Sequence, residues 1–406
     1  MIKRSIYLNQ LKPFIDKPLI KVITGVRRSG KSTILKLLKE DLLEKDIEES
    51  QIIYLNFESL EYSEIDKAEK LYSYVKKRIV KNKRIYILLD EIQEISSWER
   101  VINSFLADFD SDIYITGSNS RLLSSELATY ITGRYIEIHV FTLSFSEYLQ
   151  FKAFRTEKPE LTVKAEFEIF LRMGGFPVLH IAQYPIESAY RIVYDIYSSA
   201  ILRDTIQRNK IRDVELLERV VKFVFDNVGN KFSAKNVADF FKSQQRKIDL
   251  NTVYNYLDAL ERAFIIDRIP RYDLAGKEIL KTFEKYFVGD QAIIYSVMGY
   301  KDRMISGVLE NIVMLEMKRR GFKVFTGKWG DKEVDFVAEK NENKIYVQVA
   351  YKMMEQSTID REFTPLLGIK DNHPKFVVTM DEIWQDNIEG IKHIHIADFL
   401  LMPSWV

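Results

Sequence analysis

The stretch Ile20-Lys-Val-Ile-Thr-Gly25-Val-Arg-Arg-Ser-Gly-Lys-Ser32 decides the fold of the first third of the chain. Ile20–Thr24 is a short, mostly β-branched run that reads as a strand, and Lys31 opens an amphipathic run to Leu43 that reads as a helix. Between them stands a complete GxxxxGK[ST] phosphate loop. Its glycines let successive backbone N–H groups converge on phosphate oxygens, and the helix N-terminus adds a partial positive charge. Gly25, Val26, Arg27, Arg28, Ser29, Gly30, Lys31, Ser32 and Thr33 are therefore the expected nucleotide contacts. Lys31 is expected on the β- and γ-phosphates, and the Ser32 hydroxyl on Mg²⁺.

Working outward, Arg84-Ile-Tyr-Ile-Leu-Leu-Asp90-Glu91 is an apolar strand ending in two acids. Asp90 is expected in the magnesium shell, and Glu91 as the group that orients and deprotonates the attacking water. The phosphate loop and this acidic pair together point to binding and hydrolysis of ATP. A further strand ends in Ile115-Thr116-Gly117-Ser118-Asn119, where a polar side chain can sense the γ-phosphate. A helical stretch, Arg121–Thr132, then leads to Gly133-Arg134, at the edge of this domain. Strands are expected at Ile20–Thr24, Ile52–Phe57, Ile85–Leu89, Ile113–Thr116 and Tyr135–Val140, apolar on both faces as a covered parallel sheet requires. Helices are expected between them at Lys31–Leu43 and Lys67–Val80.

These residues resemble an AAA+ ATPase. More narrowly, the chain is similar to prokaryotic ATPases in which an AAA-type domain precedes a C-terminal domain of unknown function with a nuclease-like fold. Phe141-Thr-Leu-Ser-Phe-Ser-Glu-Tyr148 and Gly174-Gly-Phe-Pro177 belong to the same pattern. The resemblance implies a five-stranded parallel sheet, Ser118 or Asn119 as first sensor, and Arg134 as an arginine finger. It also implies assembly into a homo-oligomer, because such a finger acts on a neighbouring subunit.

The remaining chain changes period several times. The expected class is α/β: an ATPase core at 1–142, a helical lid at 143–208, a winged helix-turn-helix at 209–275, and a restriction-endonuclease-like domain at 276–406. Helices Asp213–Gly229, Ser233–Phe241 and Asp249–Phe264 carry the middle domain, with Val253, Leu257, Leu260 and Phe264 as the inward stripe of the third. Thr252, Tyr254, Asn255 and Asp258 lie opposite, with Lys242, Arg246 and Lys247 before the helix and Arg268 and Arg271 near a wing. Basic and short polar side chains suit double-stranded DNA, while Asp258 and Glu261 oppose it. A helical packing module or a protein-interaction surface stays open beside DNA.

Restriction-type nucleases place a Glu on a helix, an Asp after a turn, and an E-x-K pair on the next strand. Here helix Val308–Arg320 carries Glu310, and Lys332-Glu-Val-Asp-Phe336 carries Asp335. The following strand, Lys344–Ala350, has Gln348 and Ala350 where the pair belongs. Lys352 sits two residues further, roughly 7 Å along a strand, so the expectation is a nuclease-like fold with a degraded site. His393 and His395 read as a surface pair, and the Tyr62–Tyr74 region as a helix packing face.

Composition sets the outer bounds. The 406 residues are too many for one core, and a net charge of +1 favours neither nucleic acid nor membrane in bulk. The absence of cysteine excludes disulfides and thiol catalysis. No signal-like or membrane-spanning apolar run occurs, so the expected location is the cytoplasm. An ATPase coupled to a DNA-associated task is the reading carried forward, with a nucleotide-dependent switch acting on a protein partner as the alternative and an ATP-gated nuclease behind both.

Overall fold

The computed structural model describes residues 2–118, 133–155, 161–199, 205–243, 248–353, 355–382 and 387–406. The chain forms two compact units. One comprises Met1–Phe141 with Arg262–Phe264, the other Thr142–Glu261 with Ile265–Val406.

The first unit is built on five parallel strands: β1 (Ile20–Thr24), β2 (Ile52–Asn56), β3 (Ile85–Asp90), β4 (Ser111–Thr116) and β5 (Tyr135–His139). Their order across the sheet is β2-β3-β4-β1-β5, and every pairing is parallel. Side chains alternate between two covered faces. Ile85, Ile87 and Leu89 pack with Leu71 and Val75 of α3 (Ala68–Lys76) and with Ile102 and Phe105 of α4 (Trp98–Asp108). Tyr86 and Leu88 pack instead with Tyr7 and Leu8 of α1 (Ser5–Leu11) and Leu35 and Leu38 of α2 (Lys31–Leu43). A sheet covered on both faces explains why these strands read as unbroken apolar runs. Lys21 is the exception in β1. It is fully buried, paired with Asp112, and donates to the Lys17 carbonyl at 3.0 Å. Tyr62 and Tyr74 meet edge to face at 6.2 Å and pack against the core, as a helix packing face does.

The second unit opens with helices α5 (Phe145–Arg155), α6 (Val163–Met173) and α7 (Ile186–Ser199). Ser144 and Glu147 form a reciprocal capping box at the start of α5, each side chain accepting the other's backbone N–H at 3.0 Å. The Gly174-Gly-Phe-Pro177 motif is a clamp. The fully buried Asp290 carboxylate accepts from the Gly175 N–H at 2.8 Å and caps α11 (Gln291–Met298) through the Ala292 N–H at 2.8 Å. Gly174 sits at φ +72°, and a Cβ there would collide with Asp290 Oδ1. Only glycine meets both demands.

Next come α8 (Val214–Asp226), β6 (Lys231–Phe232), α9 (Ala234–Ser243), α10 (Leu250–Arg262), and the antiparallel hairpin β7 (Ile266–Asp273) and β8 (Glu278–Val288). In α10, Val253, Leu257 and Leu260 are buried, and Tyr254, Asn255 and Asp258 face outward, with Thr252 half-buried. Phe264 lies beyond the helix at φ +56°. The rest follows as α12 (Ile305–Arg319), β9 (Lys323–Trp329), β10 (Lys332–Lys340), β11 (Asn343–Val349), α13 (Gln356–Gly368), β12 (Lys375–Thr379), β13 (Asn387–Ile388), β14 (Ile391–His395) and α14 (Ile396–Leu401). One nine-stranded mixed sheet, in the order β13-β14-β12-β11-β10-β9-β7-β8-β6, runs through all of these strands. β7 is its seam, antiparallel to β8 on one side and parallel to β9 on the other.

The expectation of a surface histidine pair is wrong. His393 and His395 are both buried. His393 Nε2 lies 2.8 Å from Thr379 Oγ1, and His395 Nδ1 accepts from the Ala397 N–H to cap α14. Among the described residues no helix is long and apolar enough to cross a membrane.

Candidate nucleotide site

The phosphate loop leaves β1 and turns into α2 through residues in left-handed conformations: Gly25 at φ +142°, Arg28 at +62° and Gly30 at +101°. Such alternation turns backbone N–H groups toward a common centre. A Cβ on Gly25 would collide with the Val140 carbonyl oxygen, so the residue must be glycine on steric grounds as well. Val26 and Ser29 are buried within the loop, and Arg27 Nη2 reaches Glu58 at 3.2 Å. Thr33 follows Ser32 in the first turn of α2.

Lys31 is buried although it is a lysine. Its ammonium donates to the carbonyls of Gly25 and Val26 at 3.1 and 3.3 Å, and lies 3.7 Å from Glu91 Oε1. The P-loop lysine and the second acid therefore face each other across the loop.

Asp90 ends β3, fully buried. Its carboxylate accepts from Thr116 Oγ1 at 2.6 Å, from the Tyr54 hydroxyl at 3.2 Å, and from Ser32. Burial raises its pKa, and the bonds from Thr116 and Ser32 work against that rise. The Ser32–Asp90 pairing brings together the two oxygen groups that a magnesium ion between phosphate and β3 would use, so these residues fit the metal. Glu91 turns the chain at φ +56°, a costly conformation for a glutamate. Its N–H donates to Thr116 Oγ1 at 2.9 Å, and its carboxylate accepts from Gln93. A backbone position held against its preference beside a phosphate loop marks a side chain whose direction matters.

Ser118 is buried two residues past the end of β4, while Asn119 and the stretch Arg121–Thr132 lie outside the described residues, as do Arg246 and Lys247. Arg134 is exposed at the start of β5, where its carbonyl accepts from the Ile20 N–H at 2.8 Å. Because β1 and β5 run parallel, Arg134 lies at the opposite end of the sheet from the loop, roughly 16 Å away along the strands. It does not join the cluster of Lys31, Ser32, Asp90 and Glu91.

The structure adds residues that the sequence pattern does not single out. Thr116 bridges the two acids, one step before the Gly-Ser-Asn segment that draws attention. Arg4 is buried to 2% exposure, donating to the Ser29 carbonyl of the loop at 2.7 Å and to the Phe141 carbonyl at 3.0 Å. Nothing local to Met1-Ile-Lys-Arg4 announces that role.

The second unit holds a separate polar cavity of about 770 Å³, lined among others by Lys231, Lys285, Glu310, Glu333, Asp335 and Gln348. Glu310 of α12 and Asp335 of β10 are brought together as expected. Gln348 Oε1 accepts from the Asp335 N–H at 3.0 Å. Ala350 is buried in the apolar core. Lys352 lies beyond the end of β11, exposed, with its ammonium over the Tyr351 ring. Lys285, from β8, is the lysine that enters the cavity.

Residues 17–149 match a model described as an AAA domain, and residues 164–303 match a domain of unknown function (DUF8612). An uncharacterized protein of Haemophilus influenzae is 38% identical over 99% of each chain. An uncharacterized protein of Methanocaldococcus jannaschii is 32% identical over 95% of this chain and 87% of its own. Among solved structures, a Walker-type ATPase of Pyrococcus abyssi matches with a TM-score of 0.52 and 13% identity, over 73% of this chain and 96% of that one. That likeness is one of fold, and it agrees with the parallel five-stranded sheet.

Proposed function

This chain belongs to the prokaryotic family in which an AAA-type ATPase domain precedes a domain of unknown function, and on that premise we propose that it binds ATP and hydrolyses it to ADP with Mg²⁺. The observation that carries the proposal is the convergence of Lys31, Ser32, Asp90 and Glu91 on one loop. The loop N–H groups bind the phosphates, and Lys31 exchanges its carbonyl partners for phosphate oxygens. Ser32 and Asp90 hold the magnesium shell. The metal, when bound, supplies charge neutralisation at the phosphates. Glu91 orients the attacking water and accepts its proton, with Thr116 fixing the backbone from which it projects. Ser118, and Asn119 beyond it, act as sensor of the γ-phosphate. Lys31→Ala is expected to abolish both ATP binding and turnover in the purified protein. Equal hydrolysis without Lys31 overturns the assignment.

Arg134 is too far from its own loop to act there, which supports a finger that enters a neighbouring subunit of a homo-oligomer. Mass in solution with a non-hydrolysable ATP analogue, compared between wild type and Arg134→Ala, tests this. A monomer in every condition removes the trans-acting arginine.

We further propose that nucleotide state is coupled to a DNA-associated task in the cytoplasm. The order α8–β6–α9–α10–β7–β8, with β6 pairing β8, supports reading this region as a winged helix-turn-helix. A specific observation favours the second reading, a switch acting on a protein partner. Arg268 lies 3.6 Å from Glu261 and 3.7 Å from Glu284, so its charge is engaged by acids, and α10 presents Asp258 outward. Binding of duplex DNA that weakens steeply with salt supports the first reading, because phosphate contacts release counterions. No DNA binding at low salt supports the second.

A further inference from the structure

We propose that the carboxylate cavity of the second unit is a cation site whose resident occupant is the Lys285 ammonium, and that it takes up no divalent metal while that lysine is in place. The inference does not rest on the ATPase reading. Lys285 enters from β8 and is 3% exposed. Its Nζ stands 3.0 Å from Glu310 Oε2, 3.0 Å from Glu333 Oε1 and 3.1 Å from Asp335 Oδ1. An ammonium has three N–H donors and no acceptor, so three carboxylates satisfy it completely.

Placement makes this more than an ion-pair cluster. Glu310 on a helix and Asp335 on the strand after a turn occupy positions that restriction-type nucleases use to hold a divalent ion. The residues present do not fit one. Magnesium needs oxygens at about 2.0–2.1 Å in octahedral array, and these carboxylates stand off at ammonium distance. Asp335 Oδ2 already accepts from the Val349 N–H at 3.0 Å, and Gln348 spends its amide oxygen on the Asp335 N–H. Among the described residues no group of three His, Asp or Glu side chains is disposed to hold a metal.

Charge leads to the same conclusion. Lys231 lies 2.9 Å from Glu333 and adds a second positive charge. Burial pushes the Glu310 carboxyl up, while the surrounding carboxylates outweigh burial and hold Lys285 well above an ordinary lysine. The ammonium groups of Lys285 and Lys231 thus sit among the carboxylates of Glu310, Glu333 and Asp335, where a metal would otherwise supply the positive charge. An ammonium that donates to three carboxylates offers no lone pair to take a proton from water. Cleavage of nucleic acid at this cavity is therefore not expected of the wild-type protein.

The test is Mn²⁺ binding to the full-length chain without nucleotide, followed by calorimetry and electron paramagnetic resonance. Wild type is expected to take up no ion at this cavity. Lys285→Ala is expected to bind one Mn²⁺ at least about tenfold more tightly than wild type, and Asp335→Asn in that background to remove it. Should Lys285→Ala fail to fold alone, Mn²⁺ is expected to restore its circular dichroism, and failure to restore it overturns the proposal. A folded Lys285→Ala that binds no Mn²⁺ also overturns it. So does wild-type Mn²⁺ binding that Asp335→Asn abolishes, because the lysine would then be displaceable and the metal native.

Discussion

Replacing Arg4 with methionine removes a guanidinium from beneath the phosphate loop while keeping most of its apolar stem. Arg4 donates to the carbonyls of Ser29 and Phe141 at 2.7 and 3.0 Å and lies 4.6 Å from the centroid of the Tyr7 ring. Methionine supplies no donor, so a buried carbonyl (Ser29) and a half-buried one (Phe141) lose this partner. Each such loss costs about 1–3 kcal/mol, so the first unit should lose roughly 2–6 kcal/mol. That is a large part of the 5–15 kcal/mol typical of a whole domain. Because Ser29 belongs to the loop, some of this loss should also appear at the nucleotide. If ordering the loop consumes about 1.4 kcal/mol on binding, affinity falls roughly tenfold. Lysine at this position should give an intermediate effect, since one ammonium lacks the planar fork that reaches two separate carbonyls. Urea unfolding followed by tryptophan fluorescence, in a background where Trp98 is the one tryptophan kept, reads the stability of the first unit, and titration with a fluorescent ATP analogue reads the affinity. A variant with the wild-type midpoint and the wild-type affinity refutes the idea that Arg4 holds the loop.

Glu91→Gln should retain ATP binding while turnover falls by about 10²–10⁴-fold, the usual contribution of a positioned base; unchanged turnover in a phosphate-release assay removes Glu91 from that role. His180, buried with Nε2 2.8 Å from the Gly174 carbonyl, is pushed down to about 4 by burial, against the pull of that carbonyl. Its contribution to stability is full above pH 6.5. It is lost as pH falls from 6.5 through about 4, because the unfolded imidazole protonates first, to a total of about 3 kcal/mol. A His180 resonance, assigned by its loss in His180→Gln, that titrates near pH 6.5 in the folded protein contradicts this, as does an equal acid loss in His180→Gln. Gly174→Ala should destabilise the second unit by more than about 3 kcal/mol through steric collision with Asp290 and a strained positive φ, seen as a lowered melting temperature; a wild-type melting curve contradicts the clamp.

The first unit is legible in the sequence because its physics is local. A sheet covered on both faces leaves continuous apolar runs, so Ile20–Thr24 agrees with the structure at both ends, and Ile85–Leu89 is short by a single residue. The phosphate loop carries its own spacing. Lys21 shows the limit of that reasoning, since its burial in β1 depends on Asp112 in β4, three strands later in the sequence. The second unit is less legible because its decisive contacts are distant. Lys285 meets Glu310 and Asp335 across 25 and 50 residues, and no periodicity in β8 marks it. The erosion at Gln348 and Ala350 is plain in the sequence, whereas the lysine that fills the cavity is not. His393 and His395 read as a surface pair because no acid or cysteine lies near them in the sequence, yet His393 bonds Thr379 of the neighbouring β12 and the Phe167 ring of α6 packs against His395.

The seam at β7 bears on how this protein can be divided. A break at 275/276, where the period changes, cuts the turn of the β7–β8 hairpin and strips β9 of a neighbour. The fragment 276–406 would carry away β8 without β7 and present open backbone edges that invite self-association. What looks like a string of exchangeable cassettes is in this region a single woven fabric. Recombination, proteolysis and cloning must all treat it as one inherited piece.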